Sequence, residues 1–212
     1  MSSKVKYYEE CIKLIKDIEN RINREDYHTA SNTLEKLLYK HESILVDLRR
    51  LYCSINRNFP NKIADYYRQS AQTLDMAVQK CTEYPFDVYK IKLPFLLPNK
   101  RSKWNLFKDT IGNTLYYLLE NYCKDNFIEP FLKSTIVVLT YYNPMDSLYI
   151  NDNDNKEESD IINLLINRFI RDDNGLVCDI CNLCRETLEN TRTEIYIMNQ
   201  SDFLPFINIK QL

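Results

Sequence analysis

Glycine is almost missing from this chain: there are two in 212 residues. Dinucleotide fingerprints, Walker loops and other phosphate cradles need several glycines at fixed spacing, so those nucleotide-binding classes are excluded. Histidine is equally sparse, with His28 and His41 alone, and neither has a neighbour at metal-ligand spacing. No apolar run approaches the ~18 residues of a membrane span. The polar start MSSKVKYYEE does not fit a signal peptide. Charge of one sign is lacking too. Lys and Arg number 28 against 30 Asp and Glu, for a net charge of −2, which rules out a uniformly basic coat but not a local basic patch. Seven cysteines without an export signal read as reduced thiols of a cytoplasmic protein.

What is present is ordinary globular content: 44% hydrophobic and 27% charged residues, with sixteen tyrosines as the one excess. Residues 1–83 have helical periodicity. Cys11, Ile15, Ile18 and Ile22 form one stripe, and Asn23 to Asp26 suits a tight turn. Leu34, Leu37, His41, Ile44, Leu48, Leu51 and Ile55 then alternate steps of three and four, a heptad seam with charged residues between its members. Asn58-Phe59-Pro60-Asn61 breaks the pattern. A third stripe runs through Ile63, Tyr67, Ala71, Leu74, Ala77, Val78 and Cys81. Two or three antiparallel helices would form this arm, with His41 a packed core residue.

From residue 84 the pattern changes. DVYKIKLPFLL (87–97) alternates as a strand, residues 106–123 have a helical period, and STIVVLTYY (134–142) is a continuous β-branched run suited to a strand buried on both faces. An amphipathic helix is expected over 156–170, strands at 176–181 and 193–198, and a capping helical turn in DFLPFI. The fold class is therefore α+β: a helical arm over 1–83 and a small mixed sheet with packed helices over 84–212. The adjacent tyrosine pairs suit packing, one ring to the core and one to the rim.

Three constellations carry chemistry. Asp152 and Asp154 follow the buried strand and Asp172-Asp173 follow the next helix. A helix of ~15 residues spans about 22 Å, so these carboxylates meet only if the loops fold back. If they meet, they form a hard-oxygen site for Mg²⁺ that can activate water in phosphodiester hydrolysis. Otherwise they are a helix cap and a turn. Lys90, Lys92, Lys100, Arg101 and Lys103 stand against the single acid Asp87, and Trp104 follows, a pattern suited to phosphate contact or to a solvated loop. Between Asn143 and Cys184 nine acids stand against Lys156, Arg168 and Arg171. Cys178, Cys181 and Cys184 have the spacing of a thiol metal site, but on a strand Cys181 would point away from the other two.

The order of these features, with LPFLLPNKR, STIVVLTYY, D-x-D-N, D-D and TEIYIM over residues ~86–205, resembles RusA-type Holliday-junction resolvases. It is also similar to an uncharacterised family of bacterial mobile-element proteins. The resemblance implies a RusA-like domain acting as a homodimer on branched DNA. Asp152, Asp154, Asp172 and Asp173 would be catalytic, with Asp152, Asp154 and Asp173 holding Mg²⁺. Lys92, Lys100, Arg101, Lys103 and Lys156 would contact duplex or branched DNA. Glu158 stands where those resolvases carry a lysine, and Asn163 where they show an aspartate. Two functions of different class follow: a Mg-dependent structure-selective endonuclease, and a catalytically inactive DNA-binding or protein-interaction accessory on the same scaffold.

Overall fold

The computed structural model describes residues 3–24, 26, 29–30, 32–34, 37, 48, 51–58, 60–97, 111–144 and 158–212. The chain divides into two compact units, Met1–Asn58 and Phe59–Leu212. Among the described residues no helix is long and apolar enough to cross a membrane.

In the first unit, α1 (Ser3–Ile22) ends where Arg21 joins Asp17 at 2.8 Å and Asp26 at 3.2 Å. Asp26 then starts the next helical stretch: its carboxylate accepts the Thr29 amide at 3.3 Å, as an N-cap aspartate does. Hydrogen bonding by Thr29, from its side chain first and then from this amide, holds the Asp26 carboxyl below its usual range. Helical backbone recurs at 29–30, 32–34, 37, 48 and 51–55. His28, His41 and Ile44 lie outside the described residues.

The division falls well ahead of the boundary expected at 83/84. The third stripe does not continue as helix to Cys81. Helix α2 (Pro60–Thr73) stops in a Schellman turn: Met76 N–H donates to the Ala71 carbonyl at 2.9 Å and Asp75 N–H to the Gln72 carbonyl at 3.1 Å. Asp75 takes the left-handed position (φ 52°) usually held by glycine. Met76 and Ala71 are both buried, the apolar contact that accompanies this motif. The chain then enters β1 (Ala77–Lys80), so the last third of the expected helix is a strand of the sheet.

The sheet contains β1, β2 (Val88–Leu93), β3 (Ser134–Tyr142), β4 (Cys178–Glu186) and β5 (Arg192–Asn199) in the order β1-β2-β5-β3-β4. All neighbours are antiparallel except β3 and β4, which are parallel and flank the connecting helix α4 (Ser159–Leu165) in sequence. The sheet is mixed and the class is α+β, as expected.

Alternation divides the core between two faces. On one, Tyr89, Ile91, Leu93, Ile136, Val138, Ile195 and Ile197 pack with Leu115 and Leu119 of α3 (Asn113–Asn126) and with Ile161, Ile162 and Leu165 of α4. Tyr67 of α2 stacks on Tyr117 of α3 with centroids 4.7 Å apart. On the other face, Val88, Val137, Leu139, Tyr196 and Met198 lie under Phe206 of α5 (Phe203–Lys210), which follows a short 3₁₀ turn at Gln200–Asp202. Pro205 fits because it occupies the first turn of α5.

The helix expected to Ile170 ends five residues early. Asn167 takes φ 61°, and its N–H donates to the Ile170 carbonyl at 2.8 Å, closing a tight loop after Leu165. Tyr67 and Tyr142 are buried beside half-buried Tyr66 and Tyr141, which is the core-and-rim division expected of the tyrosine pairs.

Candidate functional site

Of the acidic set, Asp152 and Asp154 lie outside the described residues, as do Lys100, Arg101, Lys103, Trp104 and Lys156. Asp172 and Asp173 are exposed in the turn that leads into β4. The Asp172 carboxylate accepts the Asn174 side-chain amide at 2.6 Å and the Asp173 backbone N–H at 2.8 Å. The Asn174 bond, first, holds it below the usual carboxylate range. Both Asp172 oxygens thus serve the turn.

Because β3 and β4 are parallel, the chain leaves β3 beside Glu186 and enters β4 beside Ser134. A nine-residue strand separates those two ends by about 30 Å. Glu158, just ahead of α4, is nearly buried and accepts the Asn182 amide of β4 at 2.8 Å. This carboxylate is therefore seated on the sheet. Asn163 is exposed on α4.

Cys178, Cys181 and Cys184 all lie on β4. Cys178 packs into the first core and Cys181 against the second, so the strand places these thiols on opposite faces. Six residues of strand put Cys178 and Cys184 about 20 Å apart. Among the described residues no three His, Cys, Asp or Glu side chains form a group able to hold a metal ion. Lys92 is tied by its ammonium to Asp75 at 2.6 Å.

A different constellation does assemble, on the face covered by α5. Arg192, Glu194 and Tyr196 are alternate residues of β5 and project together. The buried Tyr196 hydroxyl donates to Glu194 Oε2 at 2.5 Å, and Arg192 Nε donates to Glu194 Oε1 at 3.2 Å. The Arg192 guanidinium also lies 3.9 Å from the Tyr141 ring centre, and the Lys210 ammonium 5.0 Å from that of Tyr196.

Burial alone would raise the Glu194 carboxyl. The Tyr196 bond, the charges of Lys90 and Lys210 and the Arg192 bond outweigh it and hold the group below its usual value. Burial pushes the Cys81 thiol up to about 11 and the Tyr84 phenol up to about 12, and it raises Tyr196 further still. At neutral pH the cluster therefore contains an ionised carboxylate, protonated phenols and a protonated thiol. It supplies a fixed buried charge rather than a nucleophile. The signal for it was a lone glutamate inside an apolar strand, with Arg and Tyr two residues to either side.

A known family accounts for nearly the whole chain. Residues 3–211 match a family described as DUF6100, a family of unknown function. The chain belongs to the DUF6100 family. The match spans both compact units, so the helical unit is as much a part of the DUF6100 pattern as the sheet. A search among curated proteins finds no match.

Proposed function

We propose that this DUF6100 protein is a non-catalytic accessory component that acts by binding other macromolecules. One observation carries the reading: among the described residues of the helical unit, several large aliphatic side chains are exposed. Ala30 and Thr33 are buried, whereas Leu34, Leu48, Leu51 and Ile55 of the heptad row are exposed. A surface of that kind serves contact rather than chemistry. The buried Arg192-Glu194-Tyr196 cluster supports the same reading, because its charged groups are used in holding the sheet together.

The test is incubation of the full chain with a labelled four-way junction and with duplex DNA in Mg²⁺. Both substrates are expected to stay intact. Cleavage by the natural protein that is lost in Asp154→Asn would overturn the reading.

That outcome would support the second reading, a RusA-like Mg-dependent endonuclease. What favours it is Glu158: its near-buried carboxylate sits at the head of α4, four residues after Asp154, so the D-x-D-N segment is followed closely in sequence by Glu157 and Glu158. Under this reading Asp152, Asp154 and Asp173 would bind Mg²⁺.

A further inference from the structure

We infer that the outer edge of β4 docks a second copy of this chain, strand against strand, so that two sheets continue as one. The inference rests on the sheet and not on the helical unit. β4 is the last strand in the order β1-β2-β5-β3-β4 and is bonded on one side only. Ser134 N–H donates to the Val177 carbonyl at 2.8 Å and Thr187 N–H to the Tyr142 carbonyl at 2.9 Å. The odd-numbered residues of β4 therefore turn their backbone groups toward β3. Successive residues alternate along a strand, so the N–H and C=O groups of Ile180, Asn182 and Cys184 point outward. Among the described residues nothing bonds to these groups.

Sheets blunt their edges with short strands, lysine or proline, bulges or a covering segment. At the opposite edge β1 does so: it has four residues and ends on Lys80, which is tied to Asp87 at 2.5 Å. β4 runs for nine residues, CDICNLCRE, with no lysine, no proline and no break in its register against β3. One edge is protected and the other is built to be paired.

A second copy is selected because the edge complements itself. Two-fold pairing of one strand with its copy is antiparallel and sets residues equally far from a central one opposite each other. Antiparallel bonding also requires outward-pointing residues to meet outward-pointing residues. Asn182, the midpoint of β4, meets both conditions and keeps the whole strand in register. Asp179 then faces Arg185 of the second copy at both ends of the contact, a favourable cross-strand pair. Both are exposed, and their partners among the described residues are neutral: Asp179 accepts the Gln200 side-chain amide at 2.6 Å, and Arg185 donates to the Gln211 carbonyl. Ile180, 44% exposed, faces exposed Cys184. Leu176 and Leu188, 86% and 96% exposed just beyond the two ends of β4, are also equally far from Asn182. The pairing brings each of them to the end where the second copy carries the other. A shift of two residues separates the charges and the leucines alike. An extended peptide of another sequence would use the ladder but would not account for this two-fold match.

Sedimentation velocity of the full chain from about 1 to 100 µM tests this, a range that reaches ordinary dimer affinities. A species near twice 25.4 kDa is expected. Asp179→Arg sets two arginines against each other and Arg185→Asp two aspartates, so each alone should weaken self-association roughly 10-fold or more. An equimolar mixture of the two variants should recover the dimer, since their charges are opposite at both ends. Ile180→Pro should leave the chain monomeric: its ring replaces an outward N–H and spares the ladder to β3. Circular dichroism checks that it folds. If it does not, the charge variants, both at exposed positions, carry the test.

A full chain that sediments at 25.4 kDa throughout would leave the edge to a segment of another protein and overturn the inference. So would a folded Ile180→Pro variant that keeps the dimer, single charge variants that associate as the natural chain does, or a mixture no stronger than its parts. None of these results touches the accessory reading, which fails instead on Mg-dependent cleavage of DNA.

Discussion

Replacing Tyr196 by Phe removes one oxygen from the second core and leaves a buried carboxylate short of a donor. The ring itself stays packed: it is fully buried, with its centre 5.1 Å from that of Phe206 and 5.0 Å from the Lys210 ammonium. The loss is therefore the 2.5 Å bond to Glu194, a residue only 7% exposed and poorly placed to find water instead. A hydrogen bond to a charged group contributes about 1.5–3 kcal/mol. We expect Tyr196→Phe to destabilise the protein by about 2 kcal/mol, or about 4–8 °C in Tm for a chain of this size.

The pH dependence carries a sign that simple loss of packing would not. In the natural protein the Glu194 carboxyl lies below its usual value. Its contribution is thus present above the unfolded pKa and is lost as pH falls through the folded pKa. Without the Tyr196 donor burial gains the upper hand, the folded pKa rises, and protonation relieves the variant first. The deficit of Tyr196→Phe should be greatest at pH 7 and shrink as pH falls through the carboxyl range. Urea titrations followed by circular dichroism at pH 7 and near pH 4 measure it. A cycle with Glu194→Gln should give a coupling of about 1–2 kcal/mol, the part of the effect that belongs to the pair. A deficit that is the same at both pH values, or a coupling of zero, would refute the account.

Two further outcomes follow from the backbone and the thiols. Phe127 closes α3 in the left-handed region at φ 51° with its ring 91% exposed, so Phe127→Gly should stabilise by about 0.5–1 kcal/mol, seen as a rise in the urea midpoint; a fall would mean the ring has a packing role. Among the described cysteines, exposed Cys184 should react first with a thiol reagent at pH 8, while Cys81 and Cys123, both pushed up to about 11 by burial, should react only on unfolding. Early reaction of Cys81 would contradict the packing of the second core.

The legible parts of this fold were those where one signal dominated. The run from Ser134 to Tyr142 has both its expected ends, because a continuous stretch of β-branched, aliphatic and aromatic residues after Ser134 leaves a strand no competitor. The strand at Arg192–Asn199 was visible for the same reason. β1 was hidden because Ala77 and Val78 also satisfy the helical stripe begun at Ile63, and the turn that separates them places Asp75, not glycine, at its left-handed position. The end of α4 was hidden in the same way by Asn167. A chain with two glycines conceals its helix stops, since Asp, Phe and Asn take the conformations that glycine would have announced.

The site was less legible than the fold. Motif reading directed attention to carboxylates between elements, whereas the described structure brings charge together within a strand, where only alternation reveals it. The heptad row lies between these cases. Its spacing was plain in the sequence, but periodicity identifies an apolar row without saying what covers it. The structure adds the direction. Among the described residues of the row, Leu34, Leu48, Leu51 and Ile55 are exposed and Leu37 is half-buried. Water is the least favourable cover for such a row, because each aliphatic side chain buried contributes about 1.5–3 kcal/mol relative to full exposure.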